Sequence, residues 1–244
     1  MTARSAWLAQ DGPVIPDFGQ GSECVRENRT FCWDWAREHW DDTLQPRLVE
    51  HVELTLIAVG LGLVIALTAA LVVHRVARLE TPLALGFALL YTIPSLALFQ
   101  LLVPFTGLTV TTVEIALVGY TLLILFRNIL AGLRGVPPDV LEAALGMGLT
   151  RAQTLVRVEL PLALPAVLAG IRIATVTTIS LATVGAFLIP EGLGAPIFDG
   201  LRTGFQTRYI AAGLLAVALA LLADALLVLV GRGLTPWARA RRVA

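Results

Sequence analysis

Residues 137–161 read PPDVLEAALGMGLTRAQTLVRVELP, and long apolar runs flank them on both sides. The stretch is too polar to lie in hydrocarbon and too regular to be a loose linker. Pro137, Pro138 and Asp139 predict a helix start, because proline is tolerated in a first turn and an acid there complements the helix dipole. Val140 to Met147 then gives a short helix of small and apolar residues. Gly148 can end it, since glycine accepts the left-handed conformation at a helix terminus. Thr150 and Gln153 have the spacing of a capping box, so a second helix starts at once. It is expected to run to about Val158, with Pro161 breaking the pattern. Physics alone leaves two readings of this hairpin open: an ordinary cytosolic connection, or a surface made for a partner.

Moving outward, the apolar runs predict five spanning helices, over about 50–73, 83–103, 109–130, 163–189 and 209–230. Each is long enough to cross roughly 30 Å of hydrocarbon at 1.5 Å per residue. The runs are continuously apolar rather than alternating, which disfavours a barrel and leaves the helix as the way to satisfy the backbone. Composition agrees. Of 244 residues 57% are hydrophobic and 15% charged, against roughly 25% charged in soluble domains. The fold class is therefore an all-α membrane protein. Its parts are a tail over 1–47, a membrane domain over 48–231 containing the 131–162 loop, and a C-terminal tail over 232–244. Residues 1–20 lack a continuous apolar core, so no cleavable signal peptide is expected.

Arginine placement sets the orientation. With the N-terminus outside, the inner segments hold Arg75 and Arg78, then Arg127, Arg134, Arg151 and Arg157, then Arg232, Arg239, Arg241 and Arg242. The short outer loop around Pro104–Leu108 holds none, and the 190–208 segment holds Arg202 and Arg208. The expectation is N-terminus out and C-terminus in, with the 137–161 hairpin in the cytoplasm.

Several function classes are disfavoured. Net charge is zero, so no global electrostatic case for nucleic acid exists. There is no Gly-x-Ser-x-Gly, His-Glu-x-x-His or Walker A pattern. His39, His51 and His74 are scattered, and no metal site is expected. No internal repeat of the kind common in secondary transporters is visible.

Glu142-Ala143-Ala144, then Gly148, Val158, Leu160 and Pro161, reproduce the spacing of the EAA motif of ABC importer permeases. That motif is Glu-Ala-Ala, three residues, Gly, nine residues, Ile, one residue, Leu-Pro; only Val158 departs, by a conservative change. The chain resembles that family. The resemblance implies a type I ABC importer transmembrane domain, multi-pass in the bacterial inner membrane, whose hairpin is the coupling helix. Glu142, Ala143, Ala144, Gly146, Gly148, Leu160 and Pro161 are then the coupling residues. It also implies three partners: ABC ATPase subunits, a second permease subunit (identical or related) and an extracytoplasmic substrate-binding protein. ATP and Mg belong to the ATPase, so this chain is expected to be no enzyme and to hold no cofactor.

Within the family the chain is similar to the osmoprotectant branch, which imports glycine betaine, choline, carnitine or related quaternary amines. His51 to Leu56, Thr92 to Leu98, Val158 to Pro165 with Gly170-Ile171-Arg172, and Gly192-Leu193-Gly194 carry that likeness. Ile189-Pro190-Glu191 departs from it, standing where glycines are usual. An amino acid or related solute, or an ATP-independent transporter or channel subunit, are the alternatives.

Polar residues inside the spans give further candidates. Arg172 and Asp224 lie at similar depth from the same side. Either they pair, or Arg172 snorkels to the interface and Asp224 finds a local partner. Glu114, near the outer end of the third span, reads as solvated at the interface or as part of a gate. Tyr91, Pro94, Ser95, Thr183 and Glu191 are candidate pathway or gate residues, against a plain packing role. Pro94 predicts a kink midway along the second span. In the tail, Phe31 to Leu44 could form one helix lying on the membrane. Cys24 and Cys32 are either a disulfide, permitted outside the cell, or two free thiols.

Overall fold

The computed structural model describes residues 22–237. The expectations for residues 1–20 and for Arg239, Arg241 and Arg242 lie outside the described residues. Every regular element among those described is helical, as a continuously apolar chain requires to satisfy its own backbone.

Two short tail helices, α1 (Glu23–Arg26) and α2 (Trp33–Glu38), lead through a wide turn at Trp40–Leu44 into α3 (Gln45–Arg75). Phe31 to Leu44 is thus not one helix, because the backbone leaves helical geometry at His39. Next come α4 (Glu80–Thr92), α5 (Ser95–Thr106) and α6 (Val110–Arg134). The hairpin holds α7 (Pro138–Gly146) and α8 (Arg151–Thr154). The remainder is α9 (Leu160–Gly185), α10 (Gly194–Thr203) and α11 (Gln206–Leu234).

Four helical runs are long and apolar enough to cross a membrane: Trp40–Arg75, Val110–Arg134, Arg151–Gly185 and Gln206–Leu234. A fifth crossing exists only if α4 and α5 count together, and they meet at a bend of 102°. The span expected over 83–103 is therefore broken, not merely kinked. Pro94 has no N–H to give and pushes the residue before it out of helical geometry. Ile93 is extended at φ −69 and ψ 128, and α5 starts afresh with the Leu98 N–H on the Pro94 carbonyl.

Pro161 does the opposite of what its type suggests. The second hairpin helix does not stop before it. A wide turn over Leu155–Glu159 joins α8 to α9, making Arg151–Gly185 one helical run of 35 residues. A widened turn leaves room beside the pyrrolidine ring, which in a regular helix would meet the carbonyl four residues back.

α6 is the hub. It packs on α3 and α9, and α4 and α5 lean on it from outside. Both main partners approach it along small residues. In α3 these are Ala58, Gly62, Ala66 and Ala70, all buried and four residues apart. In α9 they are Gly170, Ala174, Thr178 and Ala182, with the same spacing and burial. Small residues let helices in a bilayer approach closely, where dispersion and hydrogen bonding replace the hydrophobic drive. The approach is tight: a Cβ on Gly170 would sit 2.7 Å from the Asn128 Cβ. In its most apolar stretch α6 is 56% buried, whereas α11 is 0% buried.

Candidate functional site

The hairpin end is built from α7 and α8. Gly148 has φ +84, and the Leu149 N–H reaches the Ala144 carbonyl at 3.2 Å while the Gly148 N–H reaches Leu145 at 2.9 Å. This is the Schellman closure of α7, which needs a left-handed residue at that position. Thr150 and Gln153 then form a capping box in both directions, at 3.3 and 2.8 Å. The two helices are thus fixed at a set angle with no free residue between them.

Around that corner Glu142, Ala143, Gly146 and Gly148 are exposed. Ala144 is not; it is buried and packs the hairpin itself rather than offering a surface. Leu145 and Met147 are 50% and 75% exposed. These apolar side chains are the sequence reading's main omission at this end. A short amphipathic helix whose apolar side finds no core in its own chain was the available signal. Leu160 and Pro161 are half-buried at the start of α9.

Two contacts tie the hairpin end to the bundle, one an ion pair and the other a close approach of a histidine to a carboxylate. The Arg134 guanidinium grips the Glu80 carboxylate at 2.7 and 2.5 Å, joining the end of α6 to the start of α4. His74 Nε2 lies 2.6 Å from Glu159, joining the end of α3 to the wide turn. Within the bundle, Arg172 and Asp224 come together. Arg172 Nε and Nη2 each donate to an Asp224 oxygen at 2.9 Å, a bidentate fork between α9 and α11.

The five candidate pathway residues fall in three places. Tyr91, Pro94 and Ser95 gather at the α4–α5 break. There the Tyr120 hydroxyl donates to the Ile93 carbonyl at 2.5 Å, and the Tyr91 and Tyr120 rings meet edge to face at 6.1 Å. Thr183 bonds within its own helix, to the Ile179 carbonyl. Glu191 sits beside the start of α3. No hydrogen bond or ion pair among the described residues joins these places.

Glu191 belongs to a clasp that the sequence did not reveal. Arg47 Nη1 donates to Glu50 at 2.8 Å and to the Pro190 carbonyl at 2.6 Å, and lies 3.8 Å from Glu191. Glu50 accepts the Gly192 N–H, and Leu193 N–H donates to His51 Nδ1 at 3.2 Å. His51 therefore carries its proton on Nε2, which donates to the Ile179 carbonyl at 3.0 Å. Burial, with the hydrogen bond and charge of neighbouring Glu50, raises the Glu191 carboxyl above its ordinary range; Arg47 opposes this. Glu114 also differs from expectation. Both its carboxylate oxygens are enclosed and have no hydrogen-bond partner among the described residues, instead of facing the interface.

The tail folds onto the start of α11. Cys24 and Cys32 are joined, with sulfurs 2.07 Å apart. Inside that loop Asn28, at φ 49, donates to the Gly204 carbonyl and accepts the Gln206 N–H. The Cys32 N–H reaches Thr207 Oγ1 at 2.9 Å, and Trp35 packs edge-on against Phe205. Among the described residues no cluster of His, Cys, Asp or Glu could hold a metal.

An exposed, capped hairpin at one end of a helical bundle has a counterpart in known sequences. The family described as "Binding-protein-dependent transport system inner membrane component" matches residues 58–236. The chain belongs to that family. It is similar to the choline transport system permease protein OpuBB of Bacillus subtilis, 37% identical over 188 residues, covering 77% of this chain and 86% of that one. It is also similar to the glycine betaine/carnitine/choline transport system permease protein OpuCB of the same organism, 35% identical, covering 77% and 86%. Among solved structures, an inward-facing MetNI methionine ABC transporter matches with a TM-score of 0.70 at 22% identity, covering 79% of this chain and 96% of that one. At that identity the match shows the fold of an ABC importer transmembrane domain. The tail helices α1 and α2 lie outside the family's matched span.

Proposed function

We propose that this chain is the permease subunit of an ATP-driven importer for a small quaternary amine, and that its hairpin takes motion from a separate ATPase. The observation that carries the reading is mechanical. The exposed corner formed by Glu142, Ala143, Leu145, Gly146 and Met147 leads through Thr150 into a single 35-residue helical run that contains Leu160 and Pro161. At 1.5 Å per residue that run is about 50 Å long. A push on the corner therefore moves α9 as a lever, and the His74–Glu159 contact passes part of it to α3. Leu145 and Met147 give the ATPase an apolar anchor and Glu142 a charged rim, the usual division in a docking surface.

In this reading the tail is outside and the hairpin inside, in the bacterial inner membrane. Two permease subunits, identical or related, enclose the path, and a binding protein delivers solute from outside. ATP and Mg act in the ATPase subunits; this chain supplies a two-state element whose equilibrium they bias. The substrate class is supported by the named substrates of the OpuBB and OpuCB relatives.

The test has two parts. Met147→Cys should cross-link to the ATPase subunit in the assembled transporter, and Gly148→Phe should leave ATP hydrolysis running while uptake falls at least about tenfold, because a bulky residue at φ +84 costs about 1–3 kcal/mol of local strain. Normal coupled uptake in that variant would end the docking role. Uptake of labelled choline, glycine betaine and methionine would decide the substrate; import of methionine alone would overturn the quaternary-amine assignment.

A further inference from the structure

A groove of about 500 Å³ runs between the tail and the first turns of α11. Phe31, Trp33 and Trp40 form its tail side, and Leu214, Leu215 and Ala218 its span side. The walls are held in place. The Cys24–Cys32 bond, the Cys32 N–H on Thr207, and a small core of Trp35, Leu44, Phe205 and Ala211 fix the tail against α11. A preformed, mainly apolar recess of this size suits an apolar occupant.

Depth identifies that occupant as lipid. The 29 residues of α11 run about 43 Å, and centring them on roughly 30 Å of hydrocarbon puts the boundary on the tail side near Ile210. The span side of the groove therefore lies in hydrocarbon. Val217 and Leu221 continue it as exposed apolar surface toward the middle of the span. Trp33 and Trp40 are 63% and 40% exposed, at the level where tryptophan collects in a membrane interface. Two charged residues also line the groove, Arg37 and Asp41. Their side chains make no hydrogen bond or ion pair among the described residues, with each other or elsewhere. The nearby Asp34, Glu38 and Asp42 are exposed and give the tail an acidic surface, which repels an anionic headgroup. One free cation and one free anion beside an apolar trough match a lipid that carries a phosphate and a primary ammonium.

We propose that this groove binds one phosphatidylethanolamine in the leaflet next to the tail. An acyl chain lies between the tryptophans and Leu214 with Leu215. Arg37 holds the phosphate through its forked N–H groups, and Asp41 accepts an N–H from the ammonium. A choline headgroup has no N–H to give Asp41, and a glycerol headgroup has no positive charge. The site is built from tail residues that precede the family's matched span of 58–236, so it is this chain's own addition to the permease fold. It requires α11 to span a membrane and does not depend on which solute is carried.

The experiment uses the full chain, purified in detergent and stripped of lipid. Native mass spectrometry follows its titration with phosphatidylethanolamine, phosphatidylglycerol or phosphatidylcholine of identical acyl chains. One phosphatidylethanolamine should bind saturably, about tenfold more tightly than either other lipid, as expected for one charge-assisted bond. Arg37→Gln should weaken all three about tenfold, because all three carry the phosphate. Asp41→Ala should weaken phosphatidylethanolamine alone, to the level of phosphatidylcholine. Leu214→Trp, which fills the groove, should abolish the saturable adduct. A closed Cys24–Cys32 bond and an unchanged midpoint of unfolding in SDS report that the variants fold. Equal affinity for the three lipids, or phosphatidylethanolamine binding untouched by Arg37→Gln and Asp41→Ala, would overturn the proposal. So would adducts that never saturate, which would reduce the groove to ordinary annular contact. If Leu214→Trp leaves lipid binding unchanged but stops the chain pairing with a second permease subunit or docking the binding protein, the groove is a protein interface and the lipid site is wrong.

Discussion

Removing the carboxylate of Asp224 should leave the Arg172 charge alone near the middle of α9. The fork has two contacts of 2.9 Å, and the two side chains are 39% and 37% exposed in the isolated chain. An arginine at the centre of a spanning helix costs about 2.5–3.5 kcal/mol without a partner. Exposure above a third cuts what the pair contributes, so a coupling of about 2 kcal/mol is expected, in the range of one charged hydrogen bond. Asp224→Asn and Arg172→Gln should therefore each destabilise the chain by about 2–3 kcal/mol, and the double variant by about 2 kcal/mol less than their sum. The assay is reversible unfolding of the purified chain by SDS titration from mixed micelles, run as a double-mutant cycle. Exchanging the residues, Arg172→Asp with Asp224→Arg, should recover at least half of a single variant's loss. Additivity within about 0.5 kcal/mol would refute the coupling, whatever the distances.

Three other outcomes follow from the geometry. Gly194→Ala places a Cβ 2.1 Å from the Thr183 carbonyl oxygen and 2.5 Å from the Ala186 Cβ. Since backbone must move, it should cost about 1–3 kcal/mol in the same unfolding assay; a neutral result would mean α10 is not held against α9. Glu191 has a folded-state carboxyl raised above its unfolded value, so ionisation penalises the folded state as pH rises through that window. Glu191→Gln should raise the unfolding midpoint at pH 8 and leave it unchanged at pH 3; a loss at pH 8 would show that its contact with Arg47 dominates. Opening the Cys24–Cys32 loop, with its sequence separation of 8, by changing both residues to Ser should release about 2–3 kcal/mol of restraint on the tail. Trypsin should then cut at exposed Arg29 faster, and an unchanged rate would show that Asn28 holds the loop without the bond.

Much of this architecture is visible in residue order because lipid imposes one rule on every span. The apolar runs place α3, α6, α9 and α11 within a few residues, and the caps at Gly148 and Thr150 follow from local chemistry. Local chemistry does not separate the two prolines. Pro94 and Pro161 look alike in sequence, but one sits after an extended Ile93 and the other after a widened turn. That difference depends on neighbours: the Tyr120 hydroxyl takes up the Ile93 carbonyl from 27 residues away. The clasp of Arg47, Glu50, His51 and Glu191 was illegible for the same reason, since its halves are about 140 residues apart in the chain. Arg172 and Asp224 were legible as a possible pair because equal depth in a bilayer restricts partners far more than sequence distance does. The stripe of small residues four apart in α3 went unremarked in the sequence, since its spacing does not say which helix it faces.

The cross-linked tail also records the chain's history. A bond between residues 24 and 32 closes only where oxidants can reach both thiols, and the cytoplasm keeps thiols reduced. Its presence in the mature chain would show that this segment had been exported. Mobility on a non-reducing gel can therefore score correct insertion in living cells, with no tag or reporter fused to the protein.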